Sequence, residues 1–152
     1  MKPKRWLNVL VEVLIVVGML GGAALAVYLV TLIPQVAAAW AENGRPPQGA
    51  FVTGGLAILF LVGGEYIGAN LFCMMRSLGK DPFVMRNVLL LRRMGTAALC
   101  ITACGLLTLA FGGVPLAVVS SLPIGMCGLF SLVLSNVFET AVLAKQENDL
   151  TV

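Results

Sequence analysis

The chain has 152 residues, of which 59% are hydrophobic and only 11% are charged, and its formal net charge at pH 7 is +3. An ordinary soluble domain carries about a quarter charged residues, and a chain this short needs a large polar surface to stay in water. The composition therefore excludes a water-soluble globular domain and predicts a single membrane domain covering residues 1–152.

The first apolar segment covers residues 9–33 and is interrupted only by Glu12. It exceeds the ~7–15 residues of a signal-peptide core, so it predicts a retained membrane span rather than a cleaved export signal. The helix is expected to end at Ile33, because proline disfavours helix at the residue that precedes it. Residues 35–49 are then expected to contain a short separate helix around Trp40, since tryptophan is enriched at membrane interfaces.

Three more segments reach the roughly 20 apolar residues that cross a bilayer. They cover residues 50–75, 94–111 and 115–143. A tight turn at residues 112–114 joins the last two, and Pro123 predicts a kink in the fourth helix. The expected fold is all-α, an integral membrane four-helix bundle.

Basic residues predict the orientation, because lysine and arginine close to spans favour the cytoplasmic side. Of the ten lysines and arginines, Arg45 alone falls on one side of a four-span topology. The others precede the first span, flank the loop between the second and third spans, or follow the fourth span. Both termini and that loop are therefore predicted to be cytoplasmic, in a multi-pass protein of the cell membrane.

The loop between the second and third spans contains signals for a helix stop and a new helix start. Gly79 favours a helix end, whereas Asp81 and Pro82 suit the beginning of the next helix, which is expected near Pro82. Its first turns carry polar residues among apolar ones: Arg86, Asn87, Arg92 and Arg93. Such a basic helix start can lie on anionic lipid or dock a protein, and topology anchoring alone is the alternative.

The loop and the end of the chain form one recognisable pattern. It consists of Gly79-Lys80-Asp81-Pro82-Phe83, Asn87, Leu91-Arg92-Arg93-Met94-Gly95, and the acidic tail Glu147-Asn148-Asp149-Leu150-Thr151-Val152. This pattern resembles the signature loop and Asp-Leu-Thr tail of an uncharacterised bacterial family of small four-helix membrane proteins. Members of that family are commonly encoded beside a small helix-turn-helix regulator. The resemblance therefore implies membrane-linked regulation in the bacterial cytoplasmic membrane, and it supplies no catalytic residues.

Glu65 lies near the middle of the second span, within Gly63-Gly64-Glu65-Tyr66-Ile67-Gly68. A charged carboxylate at that depth costs several kcal/mol, from about 2.5 upward, and no lysine or arginine lies at a similar depth in any span. Two interpretations are open. Glu65 is a proton-titrating or cation-coordinating group of a transport path, or it is a hydrogen-bonded contact that fixes helix packing.

A second polar cluster is predicted at the cytoplasmic ends of the spans. Two carboxylates and an amide lie one to three turns inside their spans, near the level of three arginines: Glu12, Asn136, Glu139, Arg76, Arg92 and Arg93. Partial desolvation strengthens attraction between such charges, so the cluster is expected to tie the first and fourth helices to the loop. A regulatory use, in which a partner competes for the arginines, is the alternative.

Two glycine pairs, Gly18 with Gly22 and Gly64 with Gly68, are spaced four residues apart and so face one way on a helix. This spacing permits close helix contact, within the bundle or, alternatively, in a homo-oligomer. Histidine is absent and the four cysteines form no Cys-x-x-Cys pair. We therefore predict no metal and no cofactor.

These features predict a non-enzymatic protein, since the sequence contains no phosphate-binding loop, hydrolase triad or metal-ligand cluster. The expected role is regulatory. The cytoplasmic loop and the tail, including Asp149, would dock a soluble partner such as a small DNA-binding regulator, with no direct binding of nucleic acid. A small transporter or ion-conducting bundle that uses Glu65 is the first alternative, and a structural or assembly subunit is the second.

Overall fold

The computed structural model describes residues 5–78, 83–111 and 115–150, in which all regular secondary structure is helical. The helices are α1 (Arg5–Glu42), α2 (Pro47–Leu78), α3 (Met85–Ala110) and α4 (Pro115–Leu150). Each of the four is long and apolar enough to cross a membrane. The all-α prediction with four membrane-compatible helices is confirmed, and the predicted turn at residues 112–114 lies outside the described residues.

Helix α1 is continuous, so the predicted end at Ile33 and the separate helix around Trp40 are wrong. Pro34 lies inside α1 and is exposed. Proline is tolerated within membrane helices because neighbouring groups and small local adjustments satisfy the carbonyl that it frees. Beyond Pro34, Ala37 is buried and the Trp40 ring lies against Gly49 of α2. These tertiary contacts favour continuation of the helix to Glu42.

A tight turn at residues 43–46 joins α1 to α2. Gly44 has a φ of 68°, a left-handed conformation that glycine adopts without steric cost. The Arg45 backbone N–H donates to the Trp40 carbonyl at 2.9 Å, and the Arg45 guanidinium lies 5.8 Å from the centroid of the Trp40 ring. This distance is within the range of a cation–π interaction, which helps to hold the turn against the end of α1.

The helices pack in the order in which they follow along the chain, α1 on α2, α2 on α3 and α3 on α4. Within the described parts of the chain, no Cα atom of α1 lies within 8 Å of one in α4. Glycine allows close contact at the first two interfaces: Gly54 of α2 lies against Ile33 of α1, and Gly63 lies against Ile101 of α3. The bundle is therefore an ordered row of pairwise contacts, and α1 contributes least to the buried core.

The α3–α4 pair forms the tightest part of the bundle. A Cβ atom on Gly95 would lie 2.8 Å from the Gly128 carbonyl oxygen, and a Cβ on Gly128 would lie 3.0 Å from the Gly95 carbonyl oxygen. The Thr102 hydroxyl donates across the interface to the Ser121 carbonyl at 3.1 Å. Small residues allow membrane helices to approach this closely, and van der Waals packing then holds them together.

Candidate functional site

Four arginines lie at one end of the bundle, which we call the arginine-rich end: Arg76, Arg86, Arg92 and Arg93. Arg92 of α3 forms an ion pair with Glu139 of α4, with 2.9 Å between Nη2 and Oε2. The same Arg92 nitrogen donates to the Asn136 Oδ1 at 3.4 Å. The structure therefore brings Arg92, Asn136 and Glu139 together. Because the two charged side chains are 45% and 37% exposed, their pair orients the helices more than it stabilises them.

Glu12 does not join this cluster. It makes no hydrogen bond or ion pair with any residue that the structure describes. Helix α1, which carries Glu12, packs on α2 and not on α4. Arg76 lies instead over the ring of Phe72, with 5.1 Å between its Cζ and the ring centroid. The fourth helix is therefore tied to the start of α3 by the Arg92–Glu139 pair. The predicted tie of the first helix to this cluster is absent from the described residues, because α1 packs on α2.

Phe83, which precedes α3, and the first turns of α3 attach this part of the chain to α4. The Phe83 ring stacks on Phe138 of α4 with 6.2 Å between centroids and an interplanar angle of 28°. Asn87 is 1% exposed, and the Ser131 hydroxyl of α4 donates to the Leu91 carbonyl at 2.9 Å. Helix α3 begins at Met85. The predicted start near Pro82 is therefore a few residues too early, since Val84 is extended and caps the helix. Pro82 and Asp81 themselves lie outside the described residues.

An open groove of about 610 Å³ lies beside Phe83 at the arginine-rich end, and we call it the Phe83 groove. Its other residues all belong to the end of α4: Ala141, Ala144, Lys145 and Asn148. Helix α4 continues to Leu150, about two turns or ~10 Å beyond the predicted end of its span at residue 143. The continuation supplies part of the wall of the groove, at Ala144, Lys145 and Asn148. The side chain of Asp149 lies outside the described residues.

Two further arginines at this end are exposed, Arg86 and Arg93. Neither has an ion-pair partner among residues 5–78, 83–111 and 115–150 as far as their side chains are described. An exposed guanidinium group can pair with an acidic group outside the chain. Lipid head groups and an acidic protein surface both offer such groups.

Glu65 lies on the side of α2 that faces α1, next to Gly22. A Cβ atom on Gly22 would overlap a carboxylate oxygen of Glu65 and lie 3.3 Å from its carboxyl carbon. Glu65 makes no hydrogen bond or ion pair with any described residue. The absence of a side chain at Gly22 explains how the carboxylate fits between the helices. The interpretation of Glu65 as a hydrogen-bonded packing contact therefore has no support among the described residues, since none of them bonds to its carboxylate.

An open groove of about 370 Å³ runs between α1 and α2 at Glu65, and we call it the Glu65 groove. Both predicted glycine pairs line it, and the two members of each pair differ in their surroundings. Gly22 contacts Glu65, and Gly68 lies against Met19, whereas the space where Gly18 and Gly64 would carry a Cβ is open. One glycine of each pair therefore allows close contact between α1 and α2, and the other leaves open space for the groove beside that contact.

The cysteines are free thiols: Cys73, Cys100, Cys104 and Cys127. The described side chains include no group of three or more histidines, cysteines, aspartates and glutamates that would hold a metal ion. The arrangement offers ion pairing at one end of the bundle and a single carboxylate in its middle.

Two features of the site were missed by sequence reasoning. Phe138 supports Phe83 from α4, and Gly95 with Gly128 brings the backbones of α3 and α4 together. The glycines carry a visible signal, since they are small residues in two neighbouring spans. Phe138 carries none, because an aromatic residue in an apolar span looks like any lipid-facing residue.

No protein-family model, curated protein or solved structure matches the chain. Its function is therefore inferred from its own residues and their arrangement.

Proposed function

We propose that this protein is a non-enzymatic regulator of the bacterial cytoplasmic membrane that docks a soluble protein in the Phe83 groove. In this proposal both termini and the arginine-rich end face the cytoplasm, which follows from the tendency of lysine and arginine to stay on that side. The observation that carries the proposal is the groove between Phe83 and the final turns of α4, which continue beyond residue 143, the predicted end of the fourth span.

The groove has the chemistry of a helix-binding surface. Phe83 is 44% exposed and supplies an aromatic contact, while Ala141 and Ala144 leave room for a partner's side chains. Lys145 and Asn148 form a polar rim. Protein interfaces combine an aromatic or apolar centre with such a rim, and an amphipathic helix is a common occupant of a groove. Stacking on Phe138 holds Phe83 in place, which lowers the entropic cost of docking.

Sequence resemblance supports the same surface and suggests the class of partner. Three residues of the resembling loop lie just before α3 or in its first turns: Phe83 stacks on α4, Asn87 is buried and Arg92 pairs with Glu139. The resembling family is commonly encoded beside a helix-turn-helix regulator. We therefore propose a small helix-turn-helix protein as the partner, held at the membrane and kept from DNA, with no contact between this chain and nucleic acid.

Site-specific photo-crosslinking in cells tests the proposal. A benzophenone amino acid at Ala144 would lie in the groove, and the same amino acid at Gln48 would lie exposed at the opposite end of the bundle. We expect a soluble helix-turn-helix protein, identified by mass spectrometry, to be captured from position 144 and not from position 48. Phe83→Ala should reduce that capture several-fold. Equal capture at both positions, or none at position 144, would contradict the docking proposal.

A second candidate function is supported by Glu65. Its carboxylate lies in an open groove without a partner among the described residues, which favours transport of a proton or cation over a packing role. This candidate predicts that Glu65→Gln abolishes a proton or cation flux in reconstituted vesicles while the helices stay folded. A parent protein with no flux would exclude it. The third candidate function is that of a structural or assembly subunit. Such a protein would show neither ion flux nor capture of a soluble partner.

A further inference from the structure

We propose that the Glu65 groove is a binding site for a membrane-soluble amine, whose ammonium group pairs with the Glu65 carboxylate and whose apolar body lies along α1 and α2. The groove is separate from the Phe83 groove, since residues of α1 and α2 line it, whereas Phe83 and the end of α4 line the other. The proposal therefore stands independently of protein docking.

The depth of Glu65 calls for a positive partner. Gly22, which touches its carboxylate, lies close to the midpoint of α1, and Glu65 itself lies well inside α2. No lysine, arginine or histidine occurs in residues 6–44, 46–75 or 94–144. An ionised carboxylate at the centre of a bilayer is costly unless it is paired. Since no basic residue of the spans lies at its level, a counter-charge for the ionised form of Glu65 comes from another molecule.

The walls of the groove fit an apolar body with one charged group. Apart from Glu65 and the four glycines, the lining is wholly apolar: Leu14, Ile15, Met19, Phe60, Leu61 and Ile67. The open space at Gly18 and Gly64 gives a ligand access to the carboxylate from the side of the groove. In this setting the ion pair forms in a low dielectric, where attraction between opposite charges is strong.

An amine fits these groups better than a metal ion does. Calcium takes about six to eight oxygen ligands, and magnesium demands near-octahedral coordination. The groove offers one carboxylate, and no described cluster of three or more acidic or sulfur ligands exists. An ammonium ion needs only one anionic partner, and the apolar walls contact the rest of the molecule.

Protection from a carbodiimide measures occupancy of the groove. The carboxyl O–H of Glu65 adds across one C=N bond of dicyclohexylcarbodiimide, and acyl migration from oxygen to nitrogen gives a stable N-acylurea with no leaving group. The purified full-length chain in dodecylmaltoside is treated with decylammonium chloride, or with decanol as the uncharged analogue, before labelling. Mass spectrometry then quantifies the adduct at Glu65, with Glu12 outside the groove as internal control.

We expect decylammonium to protect Glu65 and decanol to have no effect. At a probe concentration about ten times its Kd, labelling of Glu65 should fall about tenfold, because the free fraction of the site falls by that factor. Equal protection by decylammonium and decanol, or none by either, would overturn the proposal. A parent protein that resists labelling and elutes as a dimer would assign the groove to a second copy and would also overturn it.

Matched leucine substitutions separate the groove from its surroundings. Gly18→Leu fills the groove and Gly21→Leu places the same side chain on α1 outside it, and neither glycine has an atom within 4 Å of its missing Cβ. Equilibrium dialysis with tritiated decylammonium should show binding to the Gly21→Leu protein and loss of binding in Gly18→Leu and Glu65→Gln. Gly64→Leu serves as a second groove variant if Gly18→Leu does not elute as a single folded species. Retained binding in the folded groove variants would refute the assignment.

Discussion

The close approach of α3 and α4 predicts that Gly128→Ala destabilises the protein. A Cβ at position 128 would lie 2.8 Å from the Cβ of Ala98 and 3.0 Å from the Gly95 carbonyl oxygen. Ordinary contacts of this kind are about 3.5–4.0 Å, so the helices would have to separate by several tenths of an ångström up to about 1 Å. Overpacking of this kind costs roughly 1–3 kcal/mol.

Gly64→Ala is the matched control, because it also replaces a helical glycine but its Cβ would enter open space. Both variants gain the higher helix propensity of alanine, worth up to about 1 kcal/mol in water, so their difference isolates the steric cost at Gly128. The free energy of unfolding is measured by titration with sodium dodecyl sulfate in mixed micelles. We expect Gly128→Ala to be less stable than Gly64→Ala by about 1–3 kcal/mol. A difference below about 0.5 kcal/mol would refute the contact geometry, because surface substitutions alone vary that much.

Two further predictions concern the arginine-rich end and the orientation. Arg92→Gln should lower the free energy of unfolding by less than about 1 kcal/mol, and high salt should remove the difference, because the pair with Glu139 is exposed. Arg93→Gln, which loses no ion pair with a described residue, is the control, and an equal effect of both substitutions would contradict the pairing. Green fluorescent protein fused after Val152 should fluoresce, since the proposed orientation places the C-terminus in the cytoplasm. Alkaline phosphatase inserted at Asn43 should be active, since the same orientation places that turn outside the cytoplasm. The opposite pattern would remove the Phe83 groove from the cytoplasm.

The interaction between Arg92 and its α4 partners shows how much can be predicted from the depth of a residue within its span. The number of turns from the end of each span predicted a common level for Arg92, Asn136 and Glu139, and the structure brings these side chains together. The same counting placed Glu12 in the cluster, where the structure does not put it. Depth is a one-dimensional quantity that the order of residues contains, whereas lateral position depends on which helices are neighbours.

The four apolar helices were predictable from the sequence because lipid offers no hydrogen-bond partners to the backbone. Each apolar stretch of sufficient length must satisfy its own N–H and C=O groups, and a helix does so with local contacts alone. Only the tertiary structure decided that α1 continues past Pro34, that among the described helices α1 packs on α2 alone, and that Glu65 lies against Gly22 in a groove. Between apolar helices in lipid, the choice of neighbour depends on the fit of small and large side chains across an interface. That fit is a property of two surfaces together, so neither helix sequence specifies it alone.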